Sequence, residues 1–134
     1  AHQPTSPRAH EPTNLSGAGL VYLLHNVNHM LGEFEHFVLL AVLRLGDQAY
    51  GATIRRDIEE RAGRELSISA TYVTLDRLED KGLIRSWIGE PTAQRGGRRR
   101  KHVALTARGR KVLALNHRAL RVMAEGLEDQ LETP

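Results

Sequence analysis

The chain contains no cysteine, which excludes disulfides, thiolate metal sites and cysteine nucleophiles and agrees with a reducing cytosol. Aromatic residues are scarce, with one Trp, three Tyr and two Phe, and this argues against an aromatic-rich ligand pocket. No apolar run approaches the roughly 20 residues of a membrane-spanning helix, so no membrane partner is expected. Metal-ligand spacing is missing too. Of the histidines His2, His10, His25, His29, His36, His102 and His117, only His25 and His29 stand four apart, in a stretch whose composition does not support a fold. Asp57, Glu59 and Glu60 fall on the outward face of a helical pattern rather than as an acid–base pair, and no Gly-rich phosphate loop follows a strand. No catalytic residue, metal or cofactor is expected, and the chain reads as something other than an enzyme.

What is present is a concentrated positive charge. The 134 residues allow one small domain, and the net charge is only +3, so the placement of charge matters more than its total. The run Arg95-Gly-Gly-Arg-Arg-Arg-Lys101 carries five cations in seven residues. Neutralising backbone phosphates with Arg and Lys releases condensed counterions, and two glycines let a hairpin tip come close to a sugar-phosphate surface. Taken alone, such a run is equally a solvated loop, and its flanks decide.

Residues 1–29, broken up by Pro4, Pro7, Pro12, Gly17 and Gly19, read as a leader, a tag or a mis-assigned start with Met30 as the native beginning. A short helix over Leu20 to Val27 is the other reading of that segment. From Glu33, Phe34, Phe37, Val38, Ala41, Val42 and Leu45 recur at helical steps until Gly46 and Asp47. A second helix fits Gly51 to Arg61, with Ile54 and Ile58 inward and Gly63 past its end. A third runs from about Ser69 to Lys81, with Tyr72, Leu75 and Leu78 on its apolar face, Ser67 or Ser69 as cap and Gly82 as stop. The period then changes to two over Leu83 to Ile88 and His102 to Leu105, which makes the basic run a hairpin connection. From Thr106 a last helix extends toward Leu131. The fold class is mainly α with a small β-hairpin: a winged helix-turn-helix DNA-binding domain over 30–106, then a C-terminal dimerisation helix over 107–134.

Several motifs follow one another in order: Tyr50-Gly51 with Ile54, Tyr72 with Leu75, Arg77 and Leu78, the turn Glu79-Asp-Lys-Gly-Leu-Ile84, Gly97-Arg-Arg-Arg-Lys101, and Leu105-Thr-Ala-Arg-Gly109. Together, from about Leu31 to about Leu115, they resemble the PadR-like family of winged helix-turn-helix transcriptional regulators. Ser69 and His102-Val103 depart from the family pattern. The short segment after Thr106 resembles the single-helix version of the family. The resemblance implies a cytoplasmic homodimer, usually a repressor, that binds double-stranded DNA at a palindromic operator and in some members answers to a small-molecule effector.

The DNA-contacting residues expected on this basis are Ser69, Thr71, Tyr72, Thr74 and Arg77 on the third helix and Arg95, Arg98, Arg99, Arg100 and Lys101 on the wing. Tyr72 is equally a core tyrosine, and Arg77 equally a partner of Asp76, Glu79 or Asp80. Val112, Leu113, Leu120, Met123 and Leu127 are expected at a dimer seam. Trp87, Phe34, Phe37 and Tyr22 are the aromatics that could line an effector pocket, and each reads first as ordinary core. The contrasting function is a protein–protein interaction module, which would expose apolar anchors on the third helix.

Overall fold

The computed structural model describes residues 30–90 and 99–132. The expected leader, with its Leu20–Val27 helix, Tyr22 and the His25/His29 pair, lies outside the described residues, as do Arg95, Gly96, Gly97 and Arg98.

The order is helix α1 (Glu33–Leu45), a 3-10 turn (Gly46–Gln48), helices α2 (Gly51–Ala62) and α3 (Ile68–Asp80), strands β1 (Ile84–Ile88) and β2 (Lys101–Leu105), helix α4 (Ala107–Ala124) and the short α5 (Glu128–Glu132). The described chain falls into two compact units, one spanning Leu31–Leu113 and the other including Ala114 onward.

In the Leu31–Leu113 unit the core is formed where α1, α2 and α3 meet, by Val38, Leu39, Val42, Ile54, Ile58, Leu75 and Leu78, joined by Val103 of β2 and Val112 of α4. Each such side chain, when fully removed from water, contributes roughly 1.5–3 kcal/mol. Glu35 ties the start of α1 to the end of α3. Its carboxylate accepts the Gly32 N–H at 3.0 Å and pairs with Lys81 Nζ at 2.8 Å. Burial alone would raise this carboxyl, but the Lys81 and Gly32 hydrogen bonds, with the charges of Lys81 and Arg77, hold it below the usual carboxylate range.

Helix α3 begins one residue earlier than the expected Ser69 start, because Ser67 Oγ accepts the Ala70 N–H at 3.0 Å and so fills the cap position. It ends in a paired-turn cap: Gly82, at φ 77°, donates to Glu79 O, and Leu83 donates to Leu78 O. That cap turns the chain directly into β1. The strands pair antiparallel, with Ile84 opposite Leu105 and Ile88 opposite Lys101. On its other edge β2 meets the chain entering α2: Tyr50 bridges His102, and Val103 N–H donates to Ala49 O at 3.0 Å. The hairpin is thereby fixed to the helix-turn-helix by backbone as well as by core packing.

The last helix differs from expectation at both ends. Val112 and Leu113, expected at a dimer seam, are buried at 1% and 4% exposure within the Leu31–Leu113 core, where the first turns of α4 pack. Instead of running on to Leu131, α4 stops at Ala124, and Gly126 takes φ 83°, which breaks the helix before α5. In the second unit Leu115 and Asn116 are buried, whereas Leu120, Met123, Leu127 and Leu131 are exposed.

Candidate nucleic-acid interface

The outward face of α3 is an unbroken stripe: Ser69, Tyr72, Val73, Asp76 and Arg77 are all exposed and recur at three- and four-residue steps. At 1.5 Å per residue the stripe is roughly 12 Å long. Tyr72 stands outside the core at 43% exposure, contrary to its expected place on the apolar face, and its ring lies over the first turn of α2. Only glycine permits that approach, since a Cβ on Gly51 would sit 2.7 Å from Tyr72 Cζ.

Thr71 and Thr74 correct the expectation in the other direction. Both are buried, at 0% and 5% exposure, and face the core beside Leu75 and Leu78. Their hydroxyls donate back to Ser67 O at 2.9 Å and Ala70 O at 3.0 Å. With the polar atom satisfied inside the helix, each presents its methyl to the core and offers nothing to a base edge. Arg77 makes no ion pair with Asp76, Glu79 or Asp80 among the described residues, and the Glu79 carboxylate accepts from the Ser86 hydroxyl instead.

Beside this helix the hairpin presents its cations. Arg99 and Lys101 are exposed, whereas Arg100 is half-buried with its guanidinium 4.6 Å above the Tyr50 ring. Tyr50 meets His102 edge-on at 5.5 Å, and His102 stacks on Trp87 at 5.8 Å. Arg85, on the exposed side of β1, closes the row 4.9 Å from Trp87. This column of rings and guanidinium planes ties β1, β2 and the residue entering α2 together at the base of the hairpin. Arg85 was not expected at the interface, although the period-two alternation of β1 places it outward. Arg95 and Arg98 lie outside the described residues.

Among the described residues, the candidate effector aromatics Trp87, Phe34 and Phe37 do not converge. Trp87 is held in the hairpin stack, Phe34 is partly exposed at the start of α1, and Phe37 is covered by the Arg64 guanidinium at 5.6 Å. Phe37, Leu40, Arg44, Asp57, Ile58 and Arg61 line a surface pocket of about 160 Å³. That is smaller than the roughly 300 Å³ at which small-molecule sites usually begin.

Residues 39–115 match the model of the transcriptional regulator PadR-like family. Among solved structures, a PadR family transcription regulator from Clostridium difficile R20291 is similar at 28% identity and a TM-score of 0.59, covering 73% of this chain and 98% of its own. A PadR family transcriptional regulator from Eggerthella lenta DSM 2243 is similar at 24% identity and a TM-score of 0.54, over 84% of this chain and 91% of its own. A transcriptional regulator from Clostridium thermocellum shares the fold at 22% identity and a TM-score of 0.57, over 71% and 89%. No curated protein matches the chain in sequence.

Proposed function

The chain belongs to the PadR-like family of transcriptional regulators, and from that premise we propose that it binds double-stranded DNA sequence-specifically, as a dimeric repressor of a palindromic operator. The observation that carries this reading is the α3 stripe set beside a basic hairpin. A stripe of roughly 12 Å spans three to four base pairs at about 3.4 Å each, which suits one half-site in a major groove. Ser69, Tyr72 and Arg77 face the bases and nearby phosphates. Arg99, Arg100 and Lys101, with Arg85 and with Arg95 and Arg98 of the wing tip, meet the backbone. Exposed Leu120, Met123 and Leu127 supply an apolar seam for a second copy, which brings two half-sites under one assembly.

One observation favours the second reading, a protein-binding winged helix: Ile68, Tyr72 and Val73 expose apolar surface on α3, at 42%, 43% and 54%. The same groups suit thymine methyls in a groove. Selection from a randomised duplex library, followed by competition with scrambled duplex, separates the two. Enrichment of a palindrome supports the regulator, and retention of no duplex even at low salt leaves the protein-binding reading.

A further inference from the structure

We propose that Asp76 is a base-reading residue that selects a cytosine in each half-site; the inference rests on the DNA-binding reading above. Asp76 is exposed on α3, between Tyr72 and Val73 on one side and Arg77 on the other. A carboxylate facing a polyphosphate is repelled, so its presence in the middle of the stripe calls for a compensating contact. Among the described residues there is none. On a helix surface its neighbours are the residues three and four away, here Tyr72, Val73, Glu79 and Asp80, and none is a cation. Arg77, adjacent in sequence, is turned about 100° away around the helix axis. Among the described residues Asp76 has no hydrogen bond or ion pair.

DNA can supply the missing donor. An ionised carboxylate only accepts, and the major groove offers amino donors on cytosine N4 and adenine N6. The adenine amino group is flanked by acceptors on both sides, its own N7 and the thymine O4, which repel a carboxylate. The cytosine amino group has an acceptor on one side only, the paired guanine's O6, so a carboxylate favours cytosine. Arg77, next on the stripe, carries the complementary chemistry, because a guanidinium matches guanine O6 and N7. The two side chains together fit a C·G step toward the C-terminal end of α3.

The test is library selection and competitive binding with wild type, Asp76→Ala and Asp76→Asn. The side chain is exposed and has no partner among the described residues, so all three fold alike. Wild type is expected to select a fixed cytosine in each half-site. Asp76→Ala should lose that preference by about fivefold to a hundredfold, the range of one base contact, while binding random duplex more tightly. Asp76→Asn, now donor and acceptor, should move the preference to adenine. If Asp76→Ala strengthens binding to every duplex equally and leaves the selected sequence unchanged, the carboxylate is a mere repellent and the proposal is overturned. It is equally overturned if wild type binds duplexes without preference. Failure of wild type to bind any DNA would instead remove the underlying reading.

Discussion

At the scale of single residues, Thr71 and Thr74 turn inward because each hydroxyl donates to a carbonyl one turn back, which leaves Tyr72 and Val73 on the outer side of α3. Replacing Thr71 by Val should therefore leave sequence preference unchanged, whereas Tyr72→Ala and Arg77→Ala should each weaken specific binding about tenfold, the scale of one base or phosphate contact. Gly51 is coupled to that face. Gly51→Ala forces the Tyr72 ring off the first turn of α2, but in a Tyr72→Ala background the same change should be neutral or stabilising by up to about 1 kcal/mol. Thermal unfolding of the four variants in this cycle measures the coupling, which additivity would reduce to zero. Glu35 makes a different prediction. Its carboxyl is held below the usual carboxylate range in the folded chain, so the folded state takes up protons less readily than the unfolded one. The stability it contributes is present at neutral pH and lost as pH falls through that lowered value. Melting curves from neutral to acid pH should show a shallower acid limb for Glu35→Gln, and Lys81→Ala should cost about 1–3 kcal/mol at neutral pH by leaving a buried carboxylate short of a donor.

At the scale of elements, most of the architecture was legible in the sequence, because the stops are local chemistry. Gly63 and Gly82 end α2 and α3 where the periodicity said they would, and the change from helical to alternating spacing marks the hairpin. The motif Leu105-Thr-Ala-Arg-Gly109 has a physical basis: Thr106 Oγ1 donates to Gly82 O at 2.7 Å and accepts the Gly109 N–H at 2.9 Å. A Cβ on Gly109 would overlap the Leu83 carbonyl oxygen, so Gly109→Ala should destabilise the domain by about 1–3 kcal/mol in denaturant titrations. The stack at the base of the wing was not legible, since Tyr50, Trp87 and His102 are far apart in the chain and meet only once β2 docks on the α2 entry. That stack separates the wing cations by role. Arg99→Ala and Lys101→Ala should lower affinity for all duplexes alike and reduce the salt slope by roughly one per lost phosphate contact. Arg100→Ala should in addition loosen the hairpin, because its guanidinium covers the Tyr50 ring.

At the scale of the whole molecule, the apolar stripe on the last helix is buried at its start and exposed further on, and periodicity alone does not divide the two parts. Val112 and Leu113 complete the core of the Leu31–Leu113 unit, whereas Leu120 and Met123 stay exposed at 61% and 77%. A dimer built on the exposed part should fall apart without unfolding when Leu120 and Met123 are replaced by Glu, and sedimentation would register the halved mass. Val112→Ala should instead lower the melting temperature of the domain, through loss of core packing. We propose that this regulator reads DNA with α3 while its hairpin holds the backbone. That reading is tested most directly by fluorescence anisotropy of the full chain on a library-selected duplex and its scrambled counterpart across a salt series. Tight, salt-sensitive binding with a clear preference for the selected duplex is expected, the preference falling with Tyr72→Ala or Arg77→Ala and the salt slope falling with the wing variants. Equal affinity for both duplexes, or no binding at low salt, would contradict it.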